Sequence, residues 1–380
     1  MSTRRNIGKK ERFFDYTLLF VVIFLSLFGL IMIYSSSSVT SGDTYLGRQL
    51  LTTSLGMGAL FAVIILRPYH FYGRFAYLGL IGSVVVLMLL LTPLGITRNG
   101  ATRWLNLGAL SFQPAELCKL GMILYLAVTF DKLGKRVSDI KLVLMHVVLP
   151  TVIMAGLIYV ISSNLSSAII VVLIAFCMMF VSTPGYRKYL LIILAAAVIL
   201  VAVVFFIDRQ GSAGGFRGMR ILAWLHPEQY SDTSAYQTVQ GLYAIGSGGI
   251  TGKGLGQGMQ KLGYIPEAQN DMIFSIICEE LGLFGAIVII ALFGILIWRC
   301  IFIASNARDR FGALLVVGVM SHIAIQVFLN IAVVTNMIPN TGISLPFISY
   351  GGTSVVFLLA EVGLVLNVAR NIELKDMVQK

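Results

Sequence analysis

The sequence predicts an all-α integral membrane protein, a bundle of about ten transmembrane helices with one large structured extracytoplasmic loop. Of its 380 residues, 57% are hydrophobic and 12% are charged, about half the charged fraction of a typical soluble domain. The mean hydropathy is +0.88. Apolar runs recur along the whole chain and reach the roughly 20 residues that a membrane-spanning helix needs.

These apolar runs predict one polytopic domain over residues 1–380 in the cell membrane. We place the spans at about 16–36, 48–66, 73–92, 112–130, 143–162, 166–182, 188–207, 272–299, 311–337 and 345–369. Most of the 28 Lys and Arg residues then fall on the side of the two termini, and positive charge accumulates in cytoplasmic loops. The tails 1–15 and 370–380 are therefore predicted to be cytoplasmic. Topology accounts for the net charge of +11, so no nucleic-acid partner is expected.

Two outer connections are longer than the others. Residues 93–111 are predicted as a loop with a turn, followed by a helix that begins at Pro114. Residues 208–271 are rich in aromatic side chains and are predicted to form short amphipathic or re-entrant helices. The glycine run Gly246–Gly258 contains Lys253 and suits either phosphate binding or tight packing, of which packing is the more common.

Carboxylates are concentrated near the eighth apolar run. A helix that starts near Asp271 places Glu279 on the same face, about 12 Å deeper, and Glu280 on another face. An ionised group at that depth needs a partner or a polar cavity. Asp271 either caps the helix or takes part in chemistry, and the glutamates either brace neighbouring helices or line a site.

The fourth run carries a further pair of charges. Glu116 and Lys119 lie three residues apart on one helical face, which predicts an ion pair within the membrane. This pair is either a structural brace or part of a substrate cavity.

Four long stretches of the chain resemble the signatures of one family. They are NGATRWLNLGALSFQPAELCKL, RGMRILAWLHPE, YQTVQGLYAIGSGGITGKGLGQGMQKLGYIPEAQNDMIFSIICEELG and IPNTGISLPFISYGGTS. The chain is thereby similar to the SEDS family of FtsW, RodA and SpoVE, which are ten-span glycosyltransferases that polymerise lipid II into peptidoglycan. The residues around the PEAQND motif resemble the FtsW and SpoVE branch more than RodA.

The resemblance implies roles for particular residues. Asp271 matches the family's essential aspartate and is the expected catalytic residue. The expected substrate-binding residues are Arg217, Arg220, Lys253, Lys261, Glu116, Lys119 and Glu267. The chain departs from the family at Asn164, where many members have aspartate, and this argues against an obligatory carboxylate there.

The implied chemistry needs a base and a cation. A sugar hydroxyl is a poor nucleophile at neutral pH, so a positioned carboxylate such as Asp271 is the expected general base. Lysines, arginines or a divalent cation such as Mg²⁺ would stabilise the departing pyrophosphate, and whether a metal is needed stays open. The expected partners are lipid II, a class B penicillin-binding transpeptidase, and other divisome or elongasome membrane proteins.

Two other functions are alternatives to this enzyme. A flippase for lipid-linked precursors needs a polar path across the whole bilayer, but the ionisable residues cluster at the outer ends of the helices, with Glu361 alone near the inner end. A scaffold that activates a transpeptidase is compatible with catalysis. The sequence leaves open whether the protein acts in division, elongation or sporulation.

Overall fold

The computed structural model describes residues 13–37, 42–98, 100–108, 110–185, 187–210 and 216–373. Most of these residues are helical. In chain order the helices are α1 (Tyr16–Ser37), α2 (Gly42–Leu66), α3 (Tyr69–Arg74), α4 (Ala76–Met88), α5 (Pro114–Leu133), α6 (Ile140–Val143), α7 (Leu149–Ser162), α8 (Leu165–Ser182), α9 (Arg187–Gln210), α10 (Phe216–Leu225), α11 (Tyr236–Gly248), α12 (Ile273–Asn306), α13 (Arg310–Val334) and α14 (Thr353–Arg370).

The helices confirm an all-α membrane protein. Within the described residues, seven helical segments are long and apolar enough to cross a bilayer: α1, most of α2, the stretch from α6 to the end of α7, α8, α12, α13 and α14. The other three predicted spans also form helices, α4, α5 and α9. Backbone polar groups have no water to bond in hydrocarbon, so apolar runs of this length fold as helices.

The centre of the bundle is formed by α13 and α14. Most residues of both helices are buried. Helix α13 packs against α5, α8 and α12, and α14 packs along α2. The connection between α13 and α14 is therefore attached at both ends to buried helices.

The connection predicted as a loop at 93–111 contains a small antiparallel sheet in the order β1 (Gly95–Arg98), β2 (Ala101–Leu107) and β3 (Leu110–Phe112). Gly100 has φ +75° in the turn between β1 and β2, a conformation that glycine adopts without strain. The predicted helix start is confirmed, since Pro114 begins α5. The strands were missed because they are short and lie among turn residues.

The long connection before α12 contains α10 and α11, which agrees with the predicted short helices. After α11 the chain continues through turns to Met272, the residue that precedes α12. Helix α11 packs against α12, so this connection lies on the first turns of α12.

Candidate active site

Helix α12 is interrupted at Gly282, and backbone groups around this interruption form hydrogen bonds with the connection that precedes the helix. Gly282 has φ 65° and ψ −165° inside the helix. The carbonyl groups of Glu279 and Glu280 accept hydrogen bonds from the N–H groups of Lys253 and Gly254, each at 2.9 Å. The N–H groups of Leu283 and Phe284 donate in return to the carbonyls of residues 249 and 250, at 2.9 and 3.2 Å. Segment 249–261, here called the clasp loop, thus replaces the hydrogen bonds that the helix lost.

Glu279 anchors this clasp loop from inside the bundle. Its side chain is fully buried, and its Oε1 lies 2.8 Å from Nζ of Lys253. The N–H groups of Met259 and Gln260 also donate to the same carboxylate, at 2.8 and 3.2–3.3 Å. A buried carboxylate with this set of donors is satisfied in its charged form.

Glu280 makes a second anchor. Its Oε1 lies 2.6 Å from Nζ of Lys261, and both side chains are almost completely buried. The hydroxyl of Ser35 in α1 donates to Glu280 at 2.7 Å, and the N–H of Gly256 donates at 3.0 Å. The predicted need for partners at Glu279 and Glu280 is confirmed. The two carboxylates have separate partners, and different residues of the clasp loop reach each of them.

These contacts assign the glycine run to packing. A Cβ added at Gly248 would lie 1.9 Å from the carbonyl oxygen of Cys278, and one at Gly252 would lie 2.1 Å from that of Glu280. One N–H of the run, that of Gly256, does meet an oxyanion, the carboxylate of Glu280 in α12. Lys261 is buried and donates to Ser35 and Glu280, and its expected contact with pyrophosphate stays a prediction. Lys253 keeps about a third of its side chain exposed beside Glu279.

Asp271 lies just before α12, ten residues after the end of the clasp loop. It does not cap the helix, since the N-cap residue is Met272 and has no side-chain cap. Nε2 of Gln237 donates to Oδ1 of Asp271 at 3.1 Å, and Nδ2 of Asn330 donates to its main-chain carbonyl at 2.7 Å. Burial raises the pKa of Asp271 to about 6, and the charge of Glu267 adds to this rise. A carboxyl group with this pKa is ionised at neutral pH and still basic enough to accept a proton.

Arg220 is a cation whose charge acts on Asp271. The charge of Arg220 lowers the pKa of Asp271, and its Nη1 donates to the carbonyl of Asn340 at 3.1 Å. Arg103 in β2 lies close enough to Arg220 that burial and this second guanidinium lower its pKa. Its Nη2 donates to the carbonyl of Ser163 at 3.2 Å, whereas its buried Nε has no partner among the described residues. The charge of Arg220 therefore acts on Asp271, and Arg103 lies next to Arg220. Arg217 lies in α10, but its side chain is outside the described part of the structure.

The remaining predicted residues occupy separate positions. Glu116 and Lys119 form the predicted ion pair at 2.8 Å, and both are buried in α5. Glu116 Oε2 has no partner among the described residues. Glu267 is exposed, has φ 51°, and accepts a hydrogen bond from Nδ2 of Asn270 at 2.9 Å. Asn164 caps α8 by accepting from the N–H of Ser167 at 3.0 Å, a role that aspartate fills equally well.

Sequence reasoning missed the amides around Asp271. Gln237, Asn330 and Asn340 carry no charge, and their contacts join segments far apart in the chain. The sequence also suggested no partner for Glu361. In the structure, Oε2 of Glu361 lies 2.8 Å from Nδ1 of His322, and both side chains are fully buried. Within the described residues, no group of three or more His, Cys, Asp or Glu side chains could hold a metal ion.

The fold and this site define a class of protein: a polytopic membrane protein with a carboxylate and an arginine at the junction between a structured connection and a broken helix. The chain belongs to the family FtsW/RodA/SpoVE, described as cell cycle protein, whose model matches residues 16–374. It is 36% identical to the probable peptidoglycan glycosyltransferase FtsW of Bacillus subtilis, over 98% of this chain and 95% of that protein. It is 37% identical to stage V sporulation protein E of the same organism, over 94% and 97%.

Solved structures agree with this family. A chain from a peptidoglycan synthase complex, described as coordinating polymerization and crosslinking, superposes with a TM-score of 0.79 at 28% identity and covers 94% of this chain and 98% of its own. The rod shape determining protein RodA of Thermus thermophilus superposes with a TM-score of 0.69 at 26% identity and covers 94% and 97%. The higher identities to FtsW and stage V sporulation protein E agree with the predicted branch.

Proposed function

We propose that this chain polymerises lipid II into β-1,4-linked glycan strands, with Asp271 as the general base. The observation that carries this proposal is the placement of Asp271, a partly buried carboxyl group with a pKa of about 6 on which the charge of Arg220 acts, with Arg103 next to Arg220. The curated relatives named as peptidoglycan glycosyltransferases support the same reaction class.

The reaction follows from these groups. The 4-hydroxyl oxygen of the acceptor sugar attacks the anomeric carbon of the donor, and its proton passes to Asp271. The bond from that carbon to the pyrophosphate oxygen breaks, and the pyrophosphate leaves with the electron pair. A single displacement of this kind inverts an α-linked donor to a β product. The guanidinium groups of Arg220 and Arg103 stabilise the charge that develops on the leaving group.

The clasp loop has a supporting part in this proposal. Lys253, inside the loop, and Lys261, at its end, bind Glu279 and Glu280, and the chain reaches Asp271 ten residues later. Lys261 thus acts through the position of the loop, while the exposed portion of Lys253 remains open to substrate. Glu267 influences the site through its charge, which raises the pKa of Asp271. Glu116 and Lys119 are proposed to line the substrate cavity, since Oε2 of Glu116 is buried without a partner among the described residues.

The location and partners complete the proposal. Both termini lie in the cytoplasm, so the sheet, α10, α11 and Asp271 lie at the outer membrane surface, where lipid II presents its sugars. A membrane-bound class B penicillin-binding transpeptidase would crosslink the product, as the synthase complex containing a similar chain suggests. Other divisome or elongasome membrane proteins would recruit the pair to its site of action.

Purified protein with fluorescent lipid II tests this function. We expect a ladder of glycan products on a gel that disappears on muramidase digestion. A matched assay in vesicles measures transfer of labelled lipid between leaflets. Lipid transfer without any polymer would contradict the polymerase and favour a flippase.

A further inference from the structure

A line of amide groups leads to the side chain of Asp271. Asn340, in the connection between α13 and α14, donates from Nδ2 to Oε1 of Gln237 at 3.0 Å. Gln237, in α11, donates from Nε2 both to Oδ1 of Asp271 at 3.1 Å and to the carbonyl of Pro266 at 3.2 Å. Three segments distant in sequence therefore meet at one carboxyl group.

The direction of these hydrogen bonds is fixed by groups that cannot reverse. The N–H of Gly342 can only donate, and it donates to Oδ1 of Asn340 at 3.0 Å. The other atom of that amide is therefore the NH₂ group, so the atom of Gln237 that faces it must be the carbonyl oxygen. The carbonyl of Pro266 can only accept, which requires the NH₂ group at the other end of Gln237. Both constraints turn the donor of Gln237 toward Asp271.

The two oxygens of Asp271 consequently differ. Oδ1 accepts the hydrogen bond from Gln237. Oδ2 lies toward Gly342, where an added Cβ would be in ordinary contact at 3.7 Å. The carboxyl group also accepts a hydrogen bond from the backbone N–H of Asp271. A hydrogen bond to the ionised form of a carboxyl group stabilises that form.

We propose that Gln237, oriented by Asn340, is a positioning residue that holds Asp271 ionised through Oδ1 and leaves Oδ2 to accept the proton of the incoming hydroxyl. This inference rests on the proposed function only for the identity of that hydroxyl. The arrangement of the carboxyl group itself is independent of the substrate.

Gln237→Leu tests the donor, with Gln229→Leu, an exposed glutamine between α10 and α11, as the matched control. Losing a hydrogen bond to an ionised carboxylate raises its pKa by about one to two units. We expect the midpoint of the pH dependence of kcat/KM for lipid II polymerisation to rise by that amount in Gln237→Leu. At pH 6.5 the rate should fall about 3- to 25-fold, and near pH 9 it should recover to within about twofold. A loss of rate that is equal at every pH, or no loss, would overturn the proposal.

Asn340→Ala tests the orienting step without touching Gln237. We expect a midpoint shift in the same direction but smaller, because the amide of Gln237 is then free to turn. The double variant Gln237→Leu/Asn340→Ala should behave like Gln237→Leu alone, since Asn340 acts through Gln237. Additive effects in the double variant would show that the two residues have independent roles. They would overturn the proposal that Asn340 acts through Gln237.

A titration without substrate separates this inference from the proposed function. Infrared difference spectra, with Asp271→Asn subtracted, report the protonated carboxyl group of Asp271 in resting protein. An upward shift of its midpoint in Gln237→Leu supports the positioning role even if no polymer forms. An unchanged midpoint in folded protein, checked by gel filtration and thermal unfolding, rejects the role even if wild-type protein polymerises lipid II.

Discussion

Lys261→Met removes the cation from Glu280 while keeping a side chain of similar length and apolar character. Among the described residues, Glu280 is then left fully buried with hydrogen bonds from Ser35 and Gly256. Stranding one member of a buried ion pair costs about 3–5 kcal/mol. Because two hydrogen-bond donors to Glu280 remain, we expect a loss of about 3 kcal/mol in the free energy of unfolding, the lower end of that range.

Two further variants provide comparisons for this loss of stability. Lys253→Met breaks the neighbouring pair, but the side chain of Lys253 is 32% exposed and Glu279 keeps two backbone donors. We therefore expect a loss of about 1 kcal/mol there. In Lys261→Met/Glu280→Gln the stranded charge is gone, so stability should return most of the way to wild type.

Thermal unfolding in detergent, followed by tryptophan fluorescence and by loss of the monomeric gel-filtration peak, measures all four proteins. Binding of lipid II to the folded fraction is measured in parallel. If Lys261→Met unfolds like wild type but loses affinity for lipid II, Lys261 binds the substrate pyrophosphate and the clasp-loop assignment is refuted.

Three further results are expected. Glu116→Ala and Lys119→Ala should each lower the unfolding temperature more than the double variant, because either single change strands a buried charge; a double variant no better folded than the worse single change would mean that the two are not a mutual pair. Asn164→Ala should lose about 1 kcal/mol of stability through the helix cap, whereas Asn164→Asp should be near wild type in unfolding and polymerisation; equal losses in both would reject the cap. The polymerisation rate should fall as the pH drops through about 6, since Asp271 must be ionised to act as a base, and a flat kcat/KM profile from pH 5 to 8 would contradict that role.

Sequence reasoning succeeded where the bilayer leaves little choice. Long apolar runs form helices because a helix makes all of its backbone hydrogen bonds within one segment, and hydrocarbon offers no other partners. The same argument required partners for Glu279 and Glu280. It also paired Glu116 with Lys119, because a spacing of three residues on a helix needs no knowledge of the tertiary fold.

It failed where the outcome depended on tertiary contacts. Lys261 suits a phosphate as well as a protein carboxylate, since both are oxyanions, and only the fold shows that Glu280 takes it. Gln237 lies 34 residues from Asp271 in the chain and carries no charge that would draw attention to it. The sheet between α4 and α5 was missed because β1 and β3 have four and three residues, too few for an alternating pattern.

The role of Asp271 is tested most directly by Asp271→Asn in purified protein given labelled lipid II. The amide keeps the size of the side chain and cannot accept the proton, and a general base contributes about 10²- to 10⁴-fold in rate. We expect normal membrane insertion and unfolding temperature, with polymerisation reduced at least about 100-fold. If the folded variant retains more than about a tenth of the wild-type rate, Asp271 falls short of even the smallest effect of a general base and the account of this site is wrong.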